Sequence, residues 1–212
     1  MTLLQTMPDG DPATVRLRTR DAAVIAAALA AHGVGFERWP LRGGPLDPSV
    51  STEALLDRYR PEVEALCARH GLRLVDVARI HDDGTEASRE RAAAARSTFL
   101  EEHRHGEDEV RFFAHGTGCF YLHLDGEVHA VVCEAGDLLS VPAGTRHWFD
   151  MGPRPDFAAI RFFEQEDGWV GDFTGDPLAQ RFPRLDDLLA DTAADADTVV
   201  DAAAVAAVDA AV

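Results

Sequence analysis

The spacing of four metal-binding side chains between His103 and His147 constrains this chain more than any other feature. His103 and His105 form H-x-H, and Glu109 follows four residues later in EEHRHGEDEVRFFAHG. Alternate residues of a strand point to one face, so the two imidazoles can aim at a common point. Glu109 has the same parity, although Gly106 makes a turn or bulge plausible between them. In GDLLSVPAGTRH, Gly136, Pro142 and Gly144 punctuate a strand followed by a tight turn, which would present His147 on the next strand. Three imidazole nitrogens and one carboxylate suit a divalent first-row transition ion. Six-coordination would leave two positions for substrate or water.

These two halves resemble the paired motifs of the cupin superfamily, G-x5-H-x-H-x3-E-x6-G and G-x5-P-x-G-x2-H. The second matches in full from Gly136 to His147. The first matches from His103 through Glu109 to Gly116 and lacks its opening glycine, while Met151 stands where an Asn often trails the second. Neither departure touches a ligand position. The resemblance implies a mainly β fold, a single cupin (double-stranded β-helix or jelly-roll) barrel with flanking α-helices.

Composition excludes several classes. A chain of 212 residues builds one well-buried core with flanking helices, and a second full domain would be cramped. A net charge of −17, with 37 acidic residues, repels phosphates and argues against nucleic acid. No run of about 18 uncharged apolar residues is present, so no membrane span is expected. The start of the chain lacks the basic-then-apolar order of a secretion signal. Three cysteines without metal or redox spacing fit packed thiols in a reducing, cytoplasmic setting.

Taken in order, residues 1–19 read as a flexible leader, 20–183 as a single cupin domain with N-terminal helices, and 184–212 as an Ala/Asp-rich tail, poorly ordered or a weakly helical appendage. DAAVIAAALAAH predicts a helix starting near Asp21 and closing toward Gly33, and GVGFERWPL reads as extended. Ser51 can cap a second helix, with Leu55, Leu56 and Tyr59 on its apolar side. Pro61 either kinks that helix or begins the next, which ends at Gly71. LRLVDVARI reads as a strand and SRERAAAARSTFLEEH as a helix running into the histidines. Six short strands are then expected: EVRFFAH, GCFYLHL, EVHAVVCE, DLLSVP, HWFDM and FAAIRFF. After Arg184 there is no basic residue, and little to pack.

The stretches FLEEHRHGEDEVRFF, VPAGTRHWFDMGPRPDFAAIRFF and GWVGDFTGDPLAQRFP closely resemble the acireductone dioxygenase family of methionine salvage. Weaker similarity through GVGFERWP, YRPEVEAL and VDV extends the likeness over roughly residues 20–183. The resemblance implies a cytoplasmic, monomeric enzyme with one Fe(II) or Ni(II) per chain, acting on acireductone (1,2-dihydroxy-3-keto-5-methylthiopentene) and O2. With Fe(II) the family yields 4-methylthio-2-oxobutanoate and formate. With Ni(II) it yields 3-methylthiopropanoate, formate and CO. Carried over by motif, His103, His105, Glu109 and His147 are metal ligands.

Arg111 lies two residues beyond Glu109 and so faces the same interior. A divalent ion with one carboxylate carries +1, an enediolate dianion carries −2, and Arg111 would bring the buried sum to zero. The resemblance implies the same role, and a structural ion pair with Glu102, Glu107 or Asp108 is the plain alternative. Phe99, Phe149 and Trp169 fall where the family places aromatic groups around substrate, although a barrel core needs aromatics too. Glu102 and Asp108 fall at positions the family links to metal incorporation and conformational coupling, although exposed acids beside a turn need no special role. His115, His123 and His129 lie outside both motifs and read as exposed strand residues. Two other readings share the ligands: a cupin dioxygenase for β-diketones or thiols, and a non-enzymatic metal-binding sensor.

Overall fold

A single long strand, β6 (Glu109–Leu124), belongs to both sheets of the barrel. The computed structural model describes residues 2–44, 46–47, 49–166, 168 and 170–190, with the backbone of 198–199. The N-terminal half of β6 pairs with β8 (Asp137–Val141) and β10 (Asp156–Phe163). Its C-terminal half pairs with β7 (Glu127–Glu134) and β9 (Arg146–Asp150). EVRFFAH and GCFYLHL, expected as two strands, are therefore one. The glycines between them bend the strand rather than end it. Gly116 has φ +74, and a Cβ there would sit 1.8 Å from the Asp156 carbonyl oxygen. A side chain at Gly118 would strike the Phe149 ring at 2.3 Å. Residues without side chains let the strand turn a corner and allow β10 to close in.

Among the described residues every strand pairing is antiparallel. On one side the sheet runs from β6 through β10 to β4 (Leu74–His81), and through β8 to β3 (Gly35–Arg38). On the other side, β6 is flanked by β7, β1 (Leu3–Pro8) and β2 (Leu17–Thr19), and by β9, β5 (His103–Arg104) and β11 (Asp172–Phe173).

Residues 1–19, expected as a flexible leader, instead supply two strands. Leu3, Leu4 and Met7 are fully buried, and six residues of β1 pair with β7. The polar positions are satisfied too: Gln5 accepts from Arg18, and Thr6 meets His129. A strand buried on both faces shows no alternation, which is why the sequence pattern concealed it.

The helices follow their caps. α1 (Ala22–Ala30) starts where Asp21 accepts from the amides of Ala23 and Val24. α2 (Thr52–Arg58) is capped by Ser51, and Pro61 opens α3 (Arg60–His70), which ends at left-handed Gly71. Their Leu55, Tyr59 and Leu66 cover the outer face of the β4–β10–β6 sheet. α4 (Glu86–Phe99), capped by Thr85, buries only Ser88 and Ala92, and leads directly into the histidines. Arg96 near its end is clamped to buried Asp150 at 2.7 and 3.0 Å. Asp150 also accepts from the amides of Gly152 and Leu185.

Beyond β11, a 3-10 turn (Pro177–Arg181) and α5 (Leu185–Ala190) cover the second sheet. Leu185 and Leu188 pack there with Tyr121, Trp148 and Phe182. The tail expected from residue 184 thus begins as a docked helix, because its two leucines find an apolar seat. The backbone of residues 198–199 forms β12 beside β2, while 191–197 and 200–212 lie outside the described residues. Among the described residues no helix is long and apolar enough to cross a membrane.

Leu188→Ala should lower unfolding free energy by about 2–4 kcal/mol, the usual cost of emptying a buried leucine site. Denaturant midpoints measure this, and a loss under about 0.5 kcal/mol would show that α5 contributes nothing to the barrel.

Candidate metal centre

Antiparallel pairing brings the two motif halves together: His103 on β5 stands directly opposite His147 on β9. The loop after β5 is stapled to the Pro142–Gly144 turn before β9. Gly144, at φ +77, donates its amide to His105 O at 2.9 Å, and Ala143 donates to the Asp108 carboxylate at 2.9 Å. Asp108 therefore holds the turn that delivers His147, a structural task for one of the two acids singled out from the sequence.

The histidine tautomers follow from their partners. Nδ1 of His103 lies 2.7 Å from Glu101 O, Nδ1 of His105 lies 3.0 Å from Val170 O, and Nδ1 of His147 lies 2.8 Å from Thr145 O. A carbonyl only accepts, so each Nδ1 carries the proton and each Nε2 is left with its lone pair. One ligand atom from each ring falls within 4.8 Å of the others, and this is the single such group found among the described residues. All three rings are buried.

Glu109 completes the cluster. Its Oε2 lies 2.7 Å from His147 Nε2 and 3.5 Å from His105 Nε2, while Oε1 is 2.6 Å from the Arg111 guanidinium. Glu109 Oε2 and His147 Nε2 are buried, yet neither makes an aligned hydrogen bond. Two donor atoms turned toward the same small space, rather than toward one another, fit a shared cation.

The electrostatics agree for Glu109 and His103. Burial works against the Glu109 charge, but Arg111 and then His147 overcome it and hold the carboxyl well below its usual range. Burial, reinforced by His147, brings His103 down to about 4 and keeps it neutral. Burial also opposes charge on His147, but the adjacent Glu109 carboxylate raises it above the ordinary imidazole value. Burial lowers Arg111, against the pull of Glu109. Glu109 and His103 are thus held in the forms that bind metal, whereas His147, drawn toward protonation by Glu109, sheds its Nε2 proton as a cation binds.

A cavity of about 220 Å³ adjoins the cluster. Its polar end is formed by the three histidines, Glu109 and Arg111. Its apolar wall includes Phe99 from α4, Phe113 from β6, Phe149 from β9, Phe157 from β10, and Met151. Phe99 and Phe149, singled out from the sequence, are thus on the cavity, whereas Trp169 lies outside the described residues. Phe113 and Phe157 were not singled out. Phe113 was within reach, since it shares strand parity with Glu109 and Arg111. Phe157 depends on the β10–β6 register, which spacing alone does not give.

Several expected side chains sit elsewhere than anticipated. Arg111 pairs with Glu109, not with Glu102, Glu107 or Asp108, and its guanidinium lies 5.4 Å from the Phe163 ring centre. Glu107 instead accepts from the amides of Glu164 and Gln165. Glu102 is not an exposed acid but is 1% exposed, accepting from His123 Nδ1 at 2.7 Å and Thr174 Oγ1 at 2.8 Å. His123 and His129, expected at the surface, are buried, and His115 is half-buried. Period-two alternation fails as a guide here because both faces of β6 and β7 are covered.

Comparison with known proteins agrees with this geometry. The model of the ARD/ARD′ family matches residues 25–171. Acireductone dioxygenase 2 of Nocardia farcinica is 62% identical over 192 residues, covering 89% of this chain and 98% of the relative. Acireductone dioxygenase of Frankia alni is 58% identical over 170 residues, covering 80% and 82%. A solved acireductone dioxygenase from Bacillus anthracis, with a cadmium ion in its active centre, superimposes with a TM-score of 0.71 at 26% identity, covering 82% of this chain and 98% of that one.

His147→Ala should keep the fold and retain less than about a tenth of the tightly held divalent metal, since each ligand anchors its own position. Elemental analysis after dialysis measures this. Full occupancy in the variant would remove His147 from the ligand set.

Proposed function

The chain belongs to the ARD/ARD′ family, and on that footing we propose that it cleaves acireductone with O2 at one divalent metal held by His103, His105, Glu109 and His147. The reading takes Fe(II) or Ni(II) as the resident ion and the enzyme as a cytoplasmic monomer. With Fe(II), acireductone and O2 give 4-methylthio-2-oxobutanoate and formate. With Ni(II) they give 3-methylthiopropanoate, formate and CO. The convergence of three Nε2 lone pairs with an orphaned Glu109 oxygen carries the assignment. Imidazole and carboxylate donors together favour a first-row transition ion over Mg2+ or Ca2+. Such an ion, once bound, supplies positive charge and open positions at which two neighbouring oxygens of an enediol can chelate.

The protein's own residues do the rest. The Glu109–Arg111 pair is neutral as a unit. A divalent ion beside it leaves +2 at this corner, and Arg79 on the cavity wall adds further positive charge, Arg161 being offset by Asp76, so a doubly charged enediolate is favoured. Arg111, buried and aimed at this corner, holds the substrate in its doubly deprotonated, electron-rich form. Glu109 stays ionised throughout, because Arg111 and the imidazoles outweigh its burial. The phenylalanines and Met151 form an apolar wall matched to a methylthio tail, with sulfur against aromatic edges. That wall also keeps water from the reacting oxygens. Hydrogen bonds from Nδ1 to backbone carbonyls fix the ring orientations, so the ligand set does not reorganise as substrate enters.

Arg111→Met tests the dianion role. Once metal is bound the cation itself keeps Glu109 ionised, so metal content should stay near that of the parent, while turnover falls on the order of 10²–10³-fold, the usual loss for a missing charge-stabilising donor. Part of the loss should return as pH rises, because free acireductone is then already more deprotonated. A flat pH–rate profile with a depressed melting temperature would make Arg111 a structural residue.

A further inference from the structure

On the same inner face of the second sheet, two strands from the metal centre, stands another pair of histidines. β9, β6, β7 and β1 place His147, Leu122, His129 and Thr6 in one row. Two strand spacings separate His129 from His147, so their backbones are roughly 10 Å apart. His32, just beyond α1, lays its ring against His129 with centroids 4.9 Å apart. The rings of His103, His105 and His147 are spaced 4.6–5.2 Å. The second pair therefore has the ring spacing of the first cluster.

Both rings have an orienting partner on one nitrogen. His32 Nδ1 lies 2.9 Å from the Asp125 carboxylate, which only accepts, so that nitrogen carries the proton and Nε2 keeps its lone pair. His129 Nδ1 lies 3.2 Å from Thr6 Oγ1, which can take its proton. His129 Nε2 then has a lone pair and, at 4% residue exposure, no hydrogen-bond partner. A buried imidazole nitrogen left idle is costly unless something binds it. Carboxylates stand close: Glu127 Oε2 is 3.9 Å from His129 Nε2. The Asp125–Gly126 turn, with φ +49 and +82, fixes the β6–β7 register that puts Glu127 and His129 on one face.

We propose that His32 and His129 form a second site for a transition-metal cation such as Zn2+, completed by the carboxylate of Glu127 and water, with Asp125 holding His32 in place from its far nitrogen. Two nitrogens and an oxygen are ordinary zinc donors. A histidine whose far nitrogen is held by a carboxylate is a usual arrangement beside zinc. Among the described residues, three ligand atoms already lie within 4.8 Å only at His103, His105 and His147. At the second site Glu127 must shift toward the ion, its Oε2 standing 3.9 Å from His129 Nε2 while Arg16 holds the other oxygen at 3.0 Å. The site is accordingly weaker than the first and fills only after it.

Holoenzyme loaded with Ni2+ at the first site is dialysed against Zn2+, and both metals are counted. The parent should take up one zinc while keeping its nickel. His32→Gln should lose that zinc. Asp125→Asn, which suits the same turn, should bind it about tenfold or more weakly. Nickel content and dioxygenase turnover should remain at parental levels in both variants. In the parent, zinc should also move the nitrogen resonance of the His129 imidazole, a readout that needs no substitution of a buried residue. No zinc uptake by the parent, uptake unchanged in His32→Gln, or an unmoved His129 resonance would each overturn the proposal.

Discussion

A carboxylate buried inside an apolar barrel must find positive charge, and Glu109 is the residue on which this structure turns. Left alone, its burial would drive it neutral. Arg111, two residues on and facing the same interior, prevents this, and the imidazoles of His147 and His105 add to the effect. The carboxylate is thereby kept ionised beside three rings whose far nitrogens are tied to backbone carbonyls. Ligand set, ring tautomers and charge balance are mutually dependent. Removing any one leaves a buried charge or lone pair without a partner.

The fold serves that arrangement through β6. One strand carries Glu109, Arg111 and Phe113 in the first sheet, then bends at Gly116 and pairs with the strand that carries His147. Chemistry and wall are therefore positioned by the same backbone. Asp150 plays a complementary part at the edge of the barrel. It gathers Arg96 of α4, the turn at Gly152 and the start of α5, so the helix that brings Phe99 to the cavity is anchored to the strand that brings His147.

The clustering of His103, His105, Glu109 and His147 was legible in the sequence because strand parity and turn residues are local, and each of the four needs only a short count along the chain. The barrel was legible through the same motifs. Less local features were not. Leu3, Leu4 and Met7 sit in a strand buried on both faces, and such a strand has no alternation to read. His123 and His129 were misplaced at the surface for the same reason. Glu102 resembled an exposed acid beside a turn, yet its partners His123 and Thr174 lie 21 and 72 residues away. Leu188 looked like part of an unpacked tail until the seat formed by Trp148 and Tyr121 was visible. In each case long-range pairing decided the outcome.

This pocket, in which a divalent ion and Arg79 add positive charge to the neutral Glu109–Arg111 pair, is proposed to select the acireductone dianion. The ultraviolet spectrum of acireductone mixed with the Ni2+-loaded enzyme, without O2 and at a pH where free substrate is singly deprotonated, tests that directly. The bound substrate should show the absorption of the doubly deprotonated form. A bound spectrum identical to that of the free monoanion would contradict the account.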